Sequence, residues 1–142
     1  MDSFRLIVGD YQEKIGLFSN SLVDWCGKAF STPKTHEEDL DALMVNGRYF
    51  EPGDISVTTN KGTPNQCHAN SANCWLANRD HLPCCIVTGY ALFDGTWMQH
   101  SWVMLDGGQE EPTIVETTIT AECYFGLPLT QSQCESFALN NA

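Results

Sequence analysis

The chain of 142 residues has little positive charge: seven Lys and Arg stand against eighteen Asp and Glu, for a formal net charge of -11. That shortage excludes the basic stripe that neutralises phosphates in sequence-independent nucleic-acid binding, and it makes an anionic membrane surface a poor partner. The N-terminus, Met1-Asp2-Ser3-Phe4-Arg5, carries acid where a secretory signal carries base, and its apolar stretch ends at Asp10. No run approaches the ~18 to 20 apolar residues of a membrane span, so a soluble, cytoplasmic protein is expected. Internal repeats, Pro/Gly/Ser linkers, a phosphate-cradling glycine loop and a G-x-S-x-G elbow are all missing. Cysteine is too sparse, at seven residues, for a small disulfide scaffold, and the odd number leaves at least one thiol unpaired within the chain. Reduced thiols are the expectation.

What is present describes one globular domain. Apolar residues are 42% and charged residues 18%, with seven Phe, four Trp and four Tyr, and a chain of this length buries roughly two-thirds of its unfolded surface. The character of the sequence changes near residue 60, dividing a helical N-terminal part (1–60) from a core (63–120) and a C-terminal segment (121–142). Tyr11, Ile15, Phe18, Leu22, Trp25 and Cys26 recur at helical spacing and predict an amphipathic helix over 10–30. Thr35-His36-Glu37-Glu38 reads as a capping box that opens a second helix reaching Met44, and 55–58 reads as a short strand. Thr63-Pro64-Asn65 supplies an N-cap candidate and a first-turn proline, after which Cys67, Ser71, Cys74, Trp75 and Asn78 share a helical stripe. Strands are predicted over 85–93, 97–105 and 113–120, joined by turns at Asp94-Gly95 and Gly107-Gly108.

Register follows from the turns. Centring the second hairpin on Gly108 sets His100 opposite Glu116, and centring the first between Asp94 and Gly95 sets Gly89 opposite His100, with open space beside the imidazole. Cys67 falls in the opening turn of its helix, where free amides and the helix dipole favour a thiolate. A histidine on a neighbouring strand can serve as its base, and a carboxylate on the next strand can orient that histidine. Cys67, His100 and Glu116 are therefore the candidate catalytic residues. The helix amides near Cys67, helped by Gln66 or Asn65, are the candidate oxyanion site. Trp102 and Tyr90 are candidate walls of a substrate pocket or parts of the core.

The strings Gln66-Cys67-His68-Ala69-Asn70, Val87-Thr88-Gly89-Tyr90, His100-Ser101-Trp102 and Val115-Glu116-Thr117-Thr118 resemble the transglutaminase-like branch of the papain-like cysteine hydrolases. In that branch a helix-borne cysteine is followed by a V-x-G-Y strand, an H-A-W strand and a D-x-T strand. The resemblance covers about residues 63–120, and Tyr124-Phe125-Gly126 is similar to a Y-F-G motif that follows the acid in small bacterial and phage proteins. Serine stands here where the family has alanine after the histidine, and glutamate where it has aspartate. The resemblance implies an α+β, papain-like/transglutaminase-like core, with the catalytic helix packed on an antiparallel β-meander and N-terminal helices beside it. It also implies a Cys-His-acid triad that works through a thioester and needs no cofactor. A protein or peptide-like substrate is expected, and the thioester can go to water or to an amine.

Two other readings use the same residues. The charge of -11 suits an inactive module of the same fold that engages a basic partner. Cys67, His68, Cys74, His81, Cys84 and Cys85 lie within 19 residues and contain enough ligands for zinc, although no C-x-x-C pair is among them. Cys26, Cys74, Cys123 and Cys134 are expected to be small core hydrophobes, as are Cys84 and Cys85. The acidic stretch 37–41 is expected to be a solvated helix face.

Overall fold

The computed structural model describes residues 11–33, 37, 39–105 and 112–142. Helix α1 (Tyr11–Trp25) is followed by β1 (Ala29–Phe30), α2 (Leu40–Asn46), β2 (Arg48–Phe50), β3 (Ser56–Thr59) and α3 (Cys67–Asn78). Then come β4 (Cys84–Phe93), β5 (Thr96–Leu105), β6 (Thr113–Glu116), β7 (Tyr124–Pro128) and α4 (Gln131–Asn141). The architecture is α+β. The strands form one curled mixed sheet in the order β2-β7-β4-β5-β6-β3, with β1 running parallel to β5. Among the described residues no helix is long and apolar enough to cross a membrane.

The meander β4-β5-β6 is antiparallel, as its turn residues require. Asp94 and Gly95 both take positive φ, 49° and 79°, the mirror-image turn whose twist matches that of the flanking strands. This turn sets Gly89 level with His100, the register expected from the sequence. Gly89 is also packed closely by a neighbouring strand. A Cβ on Gly89 would collide with the Phe125 carbonyl and lie 2.6 Å from Gly126 Cα, because β7 pairs with β4 at this point. Glycine is thus needed for the close approach of a neighbouring strand.

The second hairpin departs from its expected register by two residues. Val103 pairs with Val115, which brings Glu116 level with Trp102. An offset of two preserves the sheet face, so His100 and Glu116 remain neighbours, now on a diagonal. Gly107-Gly108 lies outside the described residues, as do Asp10 and the Thr35, His36 and Glu38 of the expected capping box. Strand β6 ends at Glu116, short of Thr120, where the chain bends.

Two apolar layers hold the sheet. On one face Ile15, Phe18 and Leu22 of α1 and Leu43 of α2 pack on Tyr90, Leu92, Trp97 and Phe125, while Ala72 and Trp75 of α3 and Cys134 and Ala138 of α4 cover Ile86, Val103 and Val115. Burial of each large side chain here contributes about 1.5 to 3 kcal/mol. The sheet curls over the second layer, Phe50, Val87, Trp102, Met104, Ile114 and Tyr124. Helix α1 stops before residue 30 because Gly27 turns to φ 89° and the chain then joins β5 as β1. Residues 1–60 therefore supply β1, β2 and β3 as well as two helices. The C-terminal segment, for which no element was expected, supplies β7, inserted between β2 and β4, and α4, whose Thr130 and Gln133 form a capping box.

Gly89→Ala should force β7 away from β4 and cost about 3 kcal/mol, read as a fall in the urea midpoint.

Candidate active site

Helix α3 begins at Cys67. Its N-cap, Gln66, makes no side-chain cap, so Thr63 is not the cap residue; it closes a turn in which Gln66 N donates to Thr63 O at 3.3 Å and Asn65 takes φ 63°. Asparagine is among the few side chains that accept this left-handed conformation. Asn70 locks the turn, with its Oδ1 accepting from Thr63 N at 3.1 Å and its Nδ2 donating to Thr63 O at 2.7 Å. The side chains of Asn65 and Gln66 are exposed beside the helix start. Cys67 itself is half-buried.

β5 presents its residues alternately to the two sides of the sheet, and β4 pairs along its whole length. On its other edge β1 pairs with Thr96 and Trp97, and β6 with Val103 to Leu105, leaving a gap around His100 and Ser101. The start of α3 meets β5 here. Ser101 points to α3, its Oγ lying 2.7 Å from His68 Nδ1 and 3.5 Å from Ser71 Oγ. His100 points to the opposite side, with Nε2 lying 2.9 Å from Glu116 Oε1 and 3.1 Å from Oε2.

Glu116 is 0% exposed and its carboxylate is fully engaged. Besides the imidazole, the backbone N–H and hydroxyl of Thr118 each donate to Oε2 at 3.0 Å, and the Tyr124 hydroxyl donates to Oε1 at 3.0 Å. Burial raises the carboxyl pKa, but the His100 hydrogen bond and charge, with the Thr118 donors, outweigh it and hold the group below its ordinary value. A carboxylate only accepts, so His100 Nε2 carries a proton and Nδ1 is not engaged by Glu116. Burial disfavours the imidazolium, yet the hydrogen bonds and charges of Cys67 and Glu116 push His100 up to about 9. Burial likewise raises the thiol, but hydrogen bonds from His100 and His68 and their charges bring Cys67 down to about 5. Between those values the favoured state is thiolate and imidazolium.

No family model, curated protein or solved structure matches the chain. His100 lies against Glu116, and Cys67 lies close enough to His100 and His68 for both to lower its pKa. Trp102 and Tyr90 go elsewhere: both are 0% exposed, so neither presents surface to a substrate. The Trp102 indole stacks beside His100 with ring centroids 6.0 Å apart, and the Tyr90 hydroxyl donates to Glu37 at 3.2 Å.

Three supporting residues, Ser101, Thr118 and Tyr124, have no role assigned from the sequence, and His68 is there only a candidate zinc ligand. Thr118 follows the acid by two residues, a spacing at which a hydroxyl and its own amide can close on a carboxylate. Tyr124 belongs to the Y-F-G string, whose remaining members are also structural: Phe125 packs under α1, and a Cβ on Gly126 would come within 2.7 Å of Trp102.

A cleft of about 420 Å³ opens beside the imidazoles, bordered by His68, Gly89, Gln99 and His100 on one side and Gln133 and Asn140 of α4 on the other. Glu37 and Asp39 stand at its rim. The six residues weighed as zinc ligands do not converge, and among the described residues no group of three or more His, Cys, Asp or Glu is arranged to hold a metal. None of the seven cysteines is joined in a disulfide; Cys74, Cys123 and Cys134 are buried and Cys26, Cys84 and Cys85 half-buried.

Glu116→Gln removes the charge that favours the imidazolium. The His100 titration followed by NMR should fall from about 9 toward the ordinary ~6.5.

Proposed function

We propose that the protein is a cysteine-dependent hydrolase or acyltransferase that attacks the carbonyl of an amide in a protein or peptide-like substrate. The observation that carries this reading is the buried His100–Glu116 pair, in which both carboxylate oxygens hold one ring nitrogen and leave the other for Cys67. The resemblance of the surrounding strings to transglutaminase-like enzymes supports the same assignment.

In this reading the Cys67 thiolate adds to the carbonyl carbon, and the oxyanion is held by the amides at the start of α3 with Gln66 or Asn65 beside them. Collapse of that intermediate breaks the C–N bond, and the leaving amine takes its proton from His100. Glu116 keeps the imidazole oriented and stabilises its charged form. The thioester then passes its acyl group to water or to an amine. The uncharged polar groups of α4 that face the cleft suit the amide groups of a peptide chain.

The test is the rate of Cys67 alkylation by iodoacetamide against pH, read by peptide mass spectrometry. The thiolate exists above its own pKa, so reactivity should rise through about pH 5 in the wild type. In His100→Ala the rise should move up toward the ordinary thiol value of ~8.5. Cys67→Ala should keep its circular dichroism and lose turnover completely on any substrate found. An ordinary thiol profile that ignores His100 would instead favour the acidic binding module, whose partner affinity would be salt-dependent and indifferent to Cys67→Ala.

A further inference from the structure

His68 lies outside the Cys67–His100–Glu116 triad, yet it follows the nucleophile directly, borders the cleft and is fixed in place. Its Nδ1 sits 2.7 Å from Ser101 Oγ and 3.9 Å from Cys67 Sγ, and its ring meets Phe137 of α4 edge-on at 5.6 Å. Ser101 is fully buried, with its Oγ also 3.5 Å from Ser71 Oγ. A Ser101 hydroxyl that accepts from His68 puts the imidazole proton on Nδ1 and a lone pair on Nε2. Both of the ring's polar contacts run through Nδ1, so Nε2 has no protein partner among the described residues. His100 differs, with its Nε2 committed to both oxygens of Glu116.

We propose that His68, oriented by Ser101, is a second acid–base residue of this site, the one that activates water to resolve the acyl-enzyme; this rests on the cysteine-hydrolase reading above. Water adds to the thioester carbonyl, forming a C–O bond, and its proton goes to His68 Nε2. The C–S bond breaks and its electron pair returns to Sγ as thiolate. The carboxylic acid released gives its remaining proton to His100, restoring the ion pair, and His68 then loses its proton to solvent. The serine that replaces the family's alanine after His100 is in this account a positioning residue that selects the His68 tautomer. The two half-reactions are thereby divided between two imidazoles near the same sulfur.

The experiment uses p-nitrophenyl acetate as the acyl donor. Acylation is followed by p-nitrophenolate release and deacylation by intact mass, as decay of acetyl-Cys67. His68→Ala should deacylate about 100-fold more slowly and accumulate the acetyl form, while acylation falls far less, by the part of the thiolate stabilisation that His68 supplies. Added imidazole should accelerate deacylation of His68→Ala and leave the wild type unchanged, a rescue that a structural role for His68 would not produce. Ser101→Ala removes only one oxygen from a buried site, and it should slow deacylation about tenfold with acylation retained; should His68→Ala fail to fold, this variant decides. Wild-type deacylation in either folded variant, or equal loss of both half-reactions, overturns the proposal and leaves the triad intact. A wild-type enzyme that is not acetylated at Cys67 overturns both the proposal and the reading on which it rests.

Discussion

A carboxylate with no exposed surface lies under the middle of this sheet, and its environment dictates much of what surrounds it. An unpaired Glu116 charge at that position would be strongly destabilising, since burial removes its hydration. His100, Thr118 and Tyr124 replace the water, and each comes from a different part of the chain. Strand β6 ends at Glu116 so that Thr118 can turn back on the carboxylate, and β7 begins with the tyrosine that reaches it. Gly89 and Gly126 then let β7 lie close enough to β4 and Trp102 for that tyrosine to arrive. The polar network and the packing of the second apolar layer are thus one construction.

The same network sets the electrostatics of the cleft. Glu116 favours the charged imidazole, and the charged imidazole favours the thiolate at the start of α3, so a negative group buried on one side of the sheet stabilises a negative group on the other. What separates and connects them is the gap on the edge of β5 between β1 and β6. A longer β6 would fill that gap and keep α3 away. The extra methylene of glutamate is matched to this arrangement, because a two-residue diagonal across the sheet is longer than a direct cross-strand pair.

Much of this was legible in the chain itself. The helix from Cys67 to Asn78 followed from its stripe of buried positions, and the first hairpin from Asp94-Gly95, where two positive φ angles admit few other sequences. The nearness of His100 and Glu116 could be read even through an imperfect register, since an offset of two leaves every side chain on its own face. Less legible were β1, β2 and β7, short strands of two to five residues with little periodicity, whose places depend on distant partners. Trp102 and Tyr90 stood at plausible pocket positions in the sequence, yet curling of the sheet enclosed one and α1 covered the other.

The sequence by itself determined the local elements of the core, the order of thiol, imidazole and carboxylate along the chain, and the face on which each strand residue stands, because turn chemistry and side-chain alternation act over a few residues. Only the tertiary structure decided that β7 enters beside β4, that α4 forms the far wall of the cleft, and that His68 meets Ser101. Those are contacts between segments far apart in the chain, 33 residues in the last case and 33 to 41 where β7 meets β4. They are set by which apolar faces bury one another, a property of the whole chain that no local pattern contains.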